Sequence, residues 1–332
     1  TEPTTTFEQD LQASSPDVTV GLSRAGVTSV EKAVRMRHGA GEALVSARID
    51  CYVDLDPAQK GVHMSRFPEL FEEAIDEVVM GRKLLVEELA GHIAEHILER
   101  QQAARAEVKI AARYPVERTT PVSRLRTQEL VTLIGVAVAS PSRTRHAIGA
   151  EATGITACPC AQSMVRESSA VRLSEAGFSP EEIERILALV PLATHNQRGR
   201  GTLYVGSDAR IPGVTLVDIV EQSMSSPIWE LLKRPDELYV VERAHLTPRF
   251  VEDVVREMIR QALDRLEPLL DDADFVQARQ VNFETIHNHD VLAERSGTVS
   301  ELRHELATGE RSARYDALRE WPQNARNEAE SC

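Results

Sequence analysis

Four stretches in the second half of the chain carry side chains able to ligate a metal ion or move a proton. "GITACPCAQ" holds Cys158 and Cys160, "THNQRGRG" holds His195, "YVVERAH" holds Glu242, and "NFETIHNHD" holds Glu284, His287 and His289. A thiolate, imidazoles and a carboxylate suit Zn(II), Fe(II) or Mn(II), and a catalytic site of this kind keeps one position for water. Such an ion lowers the pKa of that water toward neutrality and holds it against its target. A fifth stretch, "DPAQKGVHMSRFPEL", gathers Lys60, His63 and Arg66 in a loop leading into a helix, a place suited to phosphate oxygens.

Each stretch also has a plainer reading. Cys158 and Cys160 flank a proline, and in an extended segment the two side chains cannot readily reach one metal. The proline is expected to keep a helix from carrying the pair, which leaves two small buried residues at a strand end as the alternative. A mutual disulfide would close a strained ring. If "NFETIHNHD" is a regular strand, His287 and His289 share a face and Glu284 points the other way. Joint use of Glu284 and His287 then needs a bulge or turn between them. "IHNHD" also matches a fragment of a His-Asn-His nuclease but lacks the ligand spacing that would support one. Glu242 is by default a solvated carboxylate, His289 a surface residue, and the segment from Lys60 to Arg66 a solvated basic loop.

Composition excludes some classes of function. The formal net charge of -14 opposes general nucleic-acid binding, because phosphate neutralisation supplies most of that affinity. An aromatic content of 4% leaves little for base-stacking platforms. Charged residues at 27% and a mean hydropathy of -0.27 fit a soluble globular chain. No apolar run approaches the roughly 18–20 residues of a membrane helix. The first residues lack the basic and apolar blocks of a signal peptide. Four irregularly spaced cysteines make no disulfide framework, so a reducing cytoplasm is the expected compartment.

The elements that must position these groups follow from periodicity. "VSARIDCYVDL" alternates as a half-buried strand, which puts Cys51 on the core side. Amphipathic helices follow in "FPELFEEAIDEVVM" and "KLLVEELAGHIAEHILER", then strands in "RAEVKIAARYP" and "QELVTLIGVAVAS". The second half repeats this order, though not the sequence. "RHAIGAEATGITA" and "RGTLYVG" read as strands, "TLVDIVEQSMSS" as a helix, and "TPRFVEDVVREMIRQALDRL" as a helix capped by Thr247 with Pro248 first. The segment from Phe275 to Gly297 reads as a strand or hairpin. "SPEEIERILALVP" is a helix with a capping box of Ser179 and Glu182 inside an extra piece. The class is α+β, with helices set apart from antiparallel strands. The expected division is a mobile segment at 1–40, modules at 41–142 and 143–297 with a helical insertion at 163–193, and a polar tail at 298–332 that forms a surface helix or a frayed end.

Taken in order, "QKGVHMSRFPE", "GITACPCAQ", "THNQRGRG", "LLKRPDELYVVERA", "PRFVEDVVR" and "NFETIHNHD" make the sequence resemble the metal-dependent type IB GTP cyclohydrolases across roughly residues 40 to 295. The resemblance implies a tunnelling fold: tandem modules of antiparallel strands with paired helices on one face, assembled as an oligomeric barrel, such as a homotetramer with sites near subunit interfaces. It implies hydrolytic opening of the imidazole ring of GTP, loss of one carbon as formate, and 7,8-dihydroneopterin triphosphate as product, the entry to folate and other pterins. It places Cys158, His195, Glu242 and His287 as ligands of Fe(II), Mn(II) or Zn(II). Cys158, Cys160, His287 and Glu284 become the catalytic set, with His287 in proton transfer and Glu284 for guanine recognition or acid–base work. Lys60, His63, Arg66 and Arg198 are assigned to the triphosphate. The roughly 30 residues between Cys160 and His195 depart from the shorter family members. Related activities stay open: an archaeal variant that makes a cyclic phosphate, a nitrile reductase-like relative, or a metal-binding scaffold without turnover.

Overall fold

The computed structural model describes residue 12 and residues 14–38, 41–81 and 85–311. Cys332, most of the expected tail and the first eleven residues lie outside them. Among the described residues there are nine strands and eight α-helices, divided between two compact units.

The first unit takes residues up to 113 and 134–148. Its strands are β1 (Leu22–His38), β2 (Gly41–Leu55), and parts of β3 (Ala106–Thr119), β4 (Arg126–Ser140) and β5 (Arg143–Ala157), neighbours in that order. The β1–β2 and β2–β3 pairs are antiparallel. The alternation expected in β2 holds, with Val45, Ala47, Ile49, Cys51, Val53 and Leu55 all buried. Burial pushes the Cys51 thiol up, and Asp50 adds to the rise. Helices α1 (Arg66–Gly81) and α2 (Val86–Gln101) pack on each other, α1 against β1 and α2 against β2. Phe67, Leu70, Phe71, Leu89, Ile93 and Ile97 form their core face, each contributing about 1.5–3 kcal/mol. The rest of the face expected on α1 lies outside the described side chains.

The segment expected to be mobile to residue 40 contains β1 instead. Its alternation is hidden by a bulge between Val27 and Val30, where Ser29 adopts φ +58° and donates its N–H to Asp50 Oδ1 at 2.7 Å. The extra residue shifts the period, so no continuous two-residue pattern is visible in the sequence.

The second unit takes residues 114–133 and everything from 149 onward. It holds the other parts of β3, β4 and β5, with β6 (Asn196–Gly206), β8 (Phe275–Asn282) and β9 (Val291–Thr298) continuing the order, and the two-residue β7 (Ser226–Pro227) beside β5. The units thus divide inside β3, β4 and β5 rather than at the expected boundary between 142 and 143. A 15-residue strand is about 50 Å long, enough to serve two cores in succession. Helices α5 (Gly213–Ser223) and α7 (Val251–Arg265) pack together, α5 on β6 and α7 on β8 and β9. Each unit therefore carries the expected helix pair.

Helices α3 (Pro159–Glu175) and α6 (Arg234–Leu246) and the start of α7 depart from expectation. The extra piece is a helical hairpin of α3 (Pro159–Glu175) and α4 (Pro180–Leu189). It begins inside the Cys-Pro-Cys, four residues before the expected insertion at 163. Its turn closes with the Gly177 N–H on Ser174 O and the Phe178 N–H on Leu173 O, a Schellman pattern with Gly177 at φ +92°. Helix α6 (Arg234–Leu246) precedes α7 and ends at Thr247, which caps α6 rather than opening α7. Helix α7 starts at Val251, with the Phe250 N–H donating to Asp253 Oδ2 at 3.1 Å. Of the two forms expected beyond Gly297, the helix is found: α8 (Val299–Thr308), which buries Val299 and Leu302.

Candidate active site

Cys158 stands where β5 ends and α3 begins. It is the N-cap of α3, and its Sγ accepts the Ala161 N–H at 3.5 Å. Pro159 occupies the first helical position and Cys160 the second. The proline therefore starts the helix that carries Cys160 instead of preventing it, because proline's missing N–H is no loss in a first turn. Cys158 is half-buried and Cys160 exposed.

The stretch before β6 is strapped to this point. The Cys158 N–H donates to the His195 carbonyl at 3.1 Å, and the Thr194 hydroxyl donates to the Cys158 carbonyl at 2.7 Å. His195 Nδ1 faces Gln197 Oε1 at 3.1 Å, an amide oxygen that can only accept from an Nδ1–H. From α3, Gln162 Nε2 donates to the carbonyls of Leu192 at 3.0 Å and His245 at 2.6 Å, which binds α3 to the last turn of α6. The Arg249 N–H donates to Ala157 O at 3.0 Å and its Nη1 to Ser223 O at 2.6 Å. Gln162 and Arg249 stood in the quoted motifs "GITACPCAQ" and "PRFVEDVVR" with no role given to either. The same holds for Thr194 and Gln197 in "THNQRGRG".

Glu242 lies exposed on α6, three residues before His245. The start of α6 is held by buried Asp236. Its carboxylate accepts the N–H groups of Val122 and Ser123, both at 2.9 Å, that of Lys233 at 3.0 Å, and the Ser123 hydroxyl. Burial alone would raise this carboxyl, but the hydrogen bonds from Ser123, Lys233 and Val122 outweigh it and hold it well below the usual range.

Glu284, His287 and His289 lie in the loop between β8 and β9, not on a strand. The loop supplies the turn that joint use of Glu284 and His287 requires. It is tied to the start of β6: the Phe283 N–H donates to Arg198 O at 3.0 Å and the Thr285 hydroxyl to Asn196 O at 3.2 Å. The His287 and His289 rings stack with centroids 5.2 Å apart. Arg198 is exposed on β6, and the Arg200 guanidinium lies 5.3 Å from the Phe283 ring centre. Lys60, His63 and Arg66 belong to the first unit and Arg198 to the second. Lys60 Nζ lies 3.7 Å from Asp17, the His63 carbonyl accepts Gln101 Nε2 at 3.2 Å, and Arg66 Nη1 donates to Arg100 O at 3.4 Å.

Cys158 and His195 are thus adjacent, and the Arg198 and Glu284 segments are joined. Among the described residues, no three of His, Cys, Asp and Glu close around one point. The donor chemistry suits a divalent ion all the same. A thiol and an imidazole whose Nδ1–H is already engaged by a carbonyl oxygen form the usual start of such a site.

Comparison with known proteins bears on this geometry. A uricase from Arthrobacter globiformis superposes with a TM-score of 0.51 at 9% identity, covering 91% of this chain and 98% of that one, a likeness of fold alone. That enzyme has the tunnelling fold, and the helix pair laid on antiparallel strands in each unit agrees with it. GTP cyclohydrolase MptA of Methanococcus maripaludis (strain C7) is 42% identical over 309 residues, 90% of this chain and 98% of the relative. The protein of the same name from Methanothermobacter thermautotrophicus is 41% identical over 305 residues, 90% and 95% of the two chains. The family model described as "Type I GTP cyclohydrolase folE2" matches residues 9–293, a span that includes every candidate site residue above. With that span and that identity to relatives matched almost end to end, the chain belongs to the type I GTP cyclohydrolase folE2 family.

Proposed function

We propose that this chain opens the imidazole ring of GTP by hydrolysis, releasing the ring's single carbon as formate. The observation that carries this reading is the Cys158–His195 juncture, in a chain aligned nearly end to end with GTP cyclohydrolases. Cys158, His195, Glu242 and His287 would hold Fe(II), Mn(II) or Zn(II), which when bound supplies an activated water at neutral pH. Gln197 keeps His195 in the tautomer that leaves Nε2 as donor atom. His287 gives a proton to the leaving ring nitrogen, and Glu284 accepts from the guanine amino edge, which adenine does not reproduce. Cys160, in the first turn of α3, remains the second thiol of the catalytic set. Lys60, His63, Arg66 and Arg198 are assigned to the triphosphate, and assembly as a homotetramer in the cytoplasm belongs to the same reading.

Two products stand apart at the phosphate end. The relatives named MptA favour the archaeal-type outcome over the type IB triphosphate. In it a ribose hydroxyl attacks the α-phosphorus, the bond to the β-phosphate bridge breaks, and a cyclic phosphate and pyrophosphate result. Incubation of the protein with GTP and Fe(II) or Mn(II), with formate, pyrophosphate and product mass measured together, tests both steps. Formate with pyrophosphate and a cyclic monophosphate is the expected outcome. Formate with an intact triphosphate restores the type IB product, and metal-supplied protein that releases no formate refutes the activity.

A further inference from the structure

The two glycines of "RGRG" have no part in the site as described, and the β6–β8 ladder gives the reason for them. Along β6 the buried positions are Gln197, Gly199, Gly201, Leu203, Val205 and Gly206, while Arg198 and Arg200 face outward. Gly199 pairs with Asn282 and Gly201 with Gln280 on β8. Both amide side chains are buried, Gln280 at 0% and Asn282 at 2% exposure. They lie across β6 because the glycines leave room. A Cβ on Gly199 would stand 2.2 Å from Gln280 Nε2 and 3.0 Å from Asn282 Oδ1, and one on Gly201 would stand 2.8 Å from Gln280 Oε1.

Gln280 Nε2 donates to Asn282 Oδ1 at 3.0 Å and lies 3.7 Å from Met224 Sδ. Two buried amides cost desolvation that an apolar pair of the same shape would avoid. Their location gives that cost a use. Strand β8 ends at Asn282, and the next residues are Phe283, bonded through its N–H to Arg198, and Glu284. On the other side, Thr156 Cγ2 lies 3.3 Å from the point a Gly199 Cβ would occupy, two residues before Cys158. The amide pair therefore lies beneath the place where β5, β6 and β8 deliver Cys158, Arg198 and Glu284.

We propose that Gln280 and Asn282 are positioning residues: their mutual hydrogen bond sets the path of the chain out of β8 and so holds the loop bearing Glu284 and His287 at the Arg198 and Cys158 end. The reaction that this serves rests on the function proposed above; the positioning itself does not.

The test is the double variant Gln280→Met with Asn282→Leu, which replaces both amides by apolar groups of similar shape, a change that can be nearly neutral for stability. Expected are a thermal midpoint close to wild type, amide hydrogen exchange in residues 283–290 faster by about tenfold or more, and kcat for formate release lower by about tenfold or more. KM for GTP should stay within about threefold. Asn282→Asp keeps the acceptor for Gln280 and is expected to retain wild-type exchange. A folded double variant with wild-type exchange in residues 283–290 overturns the proposal whatever its activity. If wild-type protein releases no formate from GTP, the functional reading fails while the exchange data still decide the positioning. Should the double variant not fold, Gln280→Met alone is measured in its place. Failure of that variant also to fold makes the pair a stability element and overturns the proposal.

Discussion

Cys158 owes its position to backbone bonds, its N–H on the His195 carbonyl and its own carbonyl under the Thr194 hydroxyl. Neither bond involves the sulfur or the imidazole ring. Cys158→Ser and His195→Ala are therefore expected to fold with near-wild-type thermal midpoints, while formate release from GTP falls by about 100-fold or more. Two folded variants with undiminished turnover would show that the site lies elsewhere. Gln197→Leu removes the partner of His195 Nδ1, and retained metal after dialysis should fall, with affinity lower by about 10–100-fold. The residues proposed as donors stand out in the sequence because each sits in a short local motif. The Gln162 clamp does not, since it joins residues 30 and 83 positions away, and no local pattern carries such a closure.

The elements legible in the sequence were those with a clear buried face, such as β2, α2 and α7. Helix α3 has no buried residue and α6 buries only Asp236, Val240 and Ala244, so neither leaves a 3.6-residue apolar signal. These two helices nonetheless carry Cys160 and Glu242. Because α6 is anchored through one carboxylate rather than an apolar face, Asp236→Ala should lower the thermal midpoint by several degrees. Asp236→Asn should fall between it and wild type, and calorimetry equal to wild type for both would contradict the anchor. A second element-level effect concerns α5. Burial pushes the Glu221 carboxyl up to about 7 against the pull of Arg118, 2.7 Å away, and Asp218 and Glu129 add to the rise. A raised carboxyl favours the folded state when protonated. Its contribution is fully present below the ordinary value of 4.5 and is lost as pH rises through about 7. Between about pH 5 and about pH 8 the wild-type melting temperature should therefore decline more than that of Glu221→Gln. Parallel curves would contradict the assignment.

At the scale of the whole molecule, the acidic balance and the family membership together describe an enzyme for one small anionic substrate rather than for a polyanion. Chelation is the matching experiment. Thorough EDTA treatment of the intact protein should abolish formate release, and Fe(II) or Mn(II) should restore it; full activity in metal-stripped protein would remove the metal from the reading. The sequence by itself determined which residues could serve as donors, the repeated order of strands and paired helices, and the burial of Cys51, because side-chain chemistry and periodicity are local properties. Only the tertiary structure decided that Cys158 caps a helix, that its backbone meets His195, that β3, β4 and β5 serve both units, and that glycines at 199 and 201 make room for two buried amides. Those facts depend on strand register and on bonds between residues far apart in sequence, which no window of neighbouring residues contains.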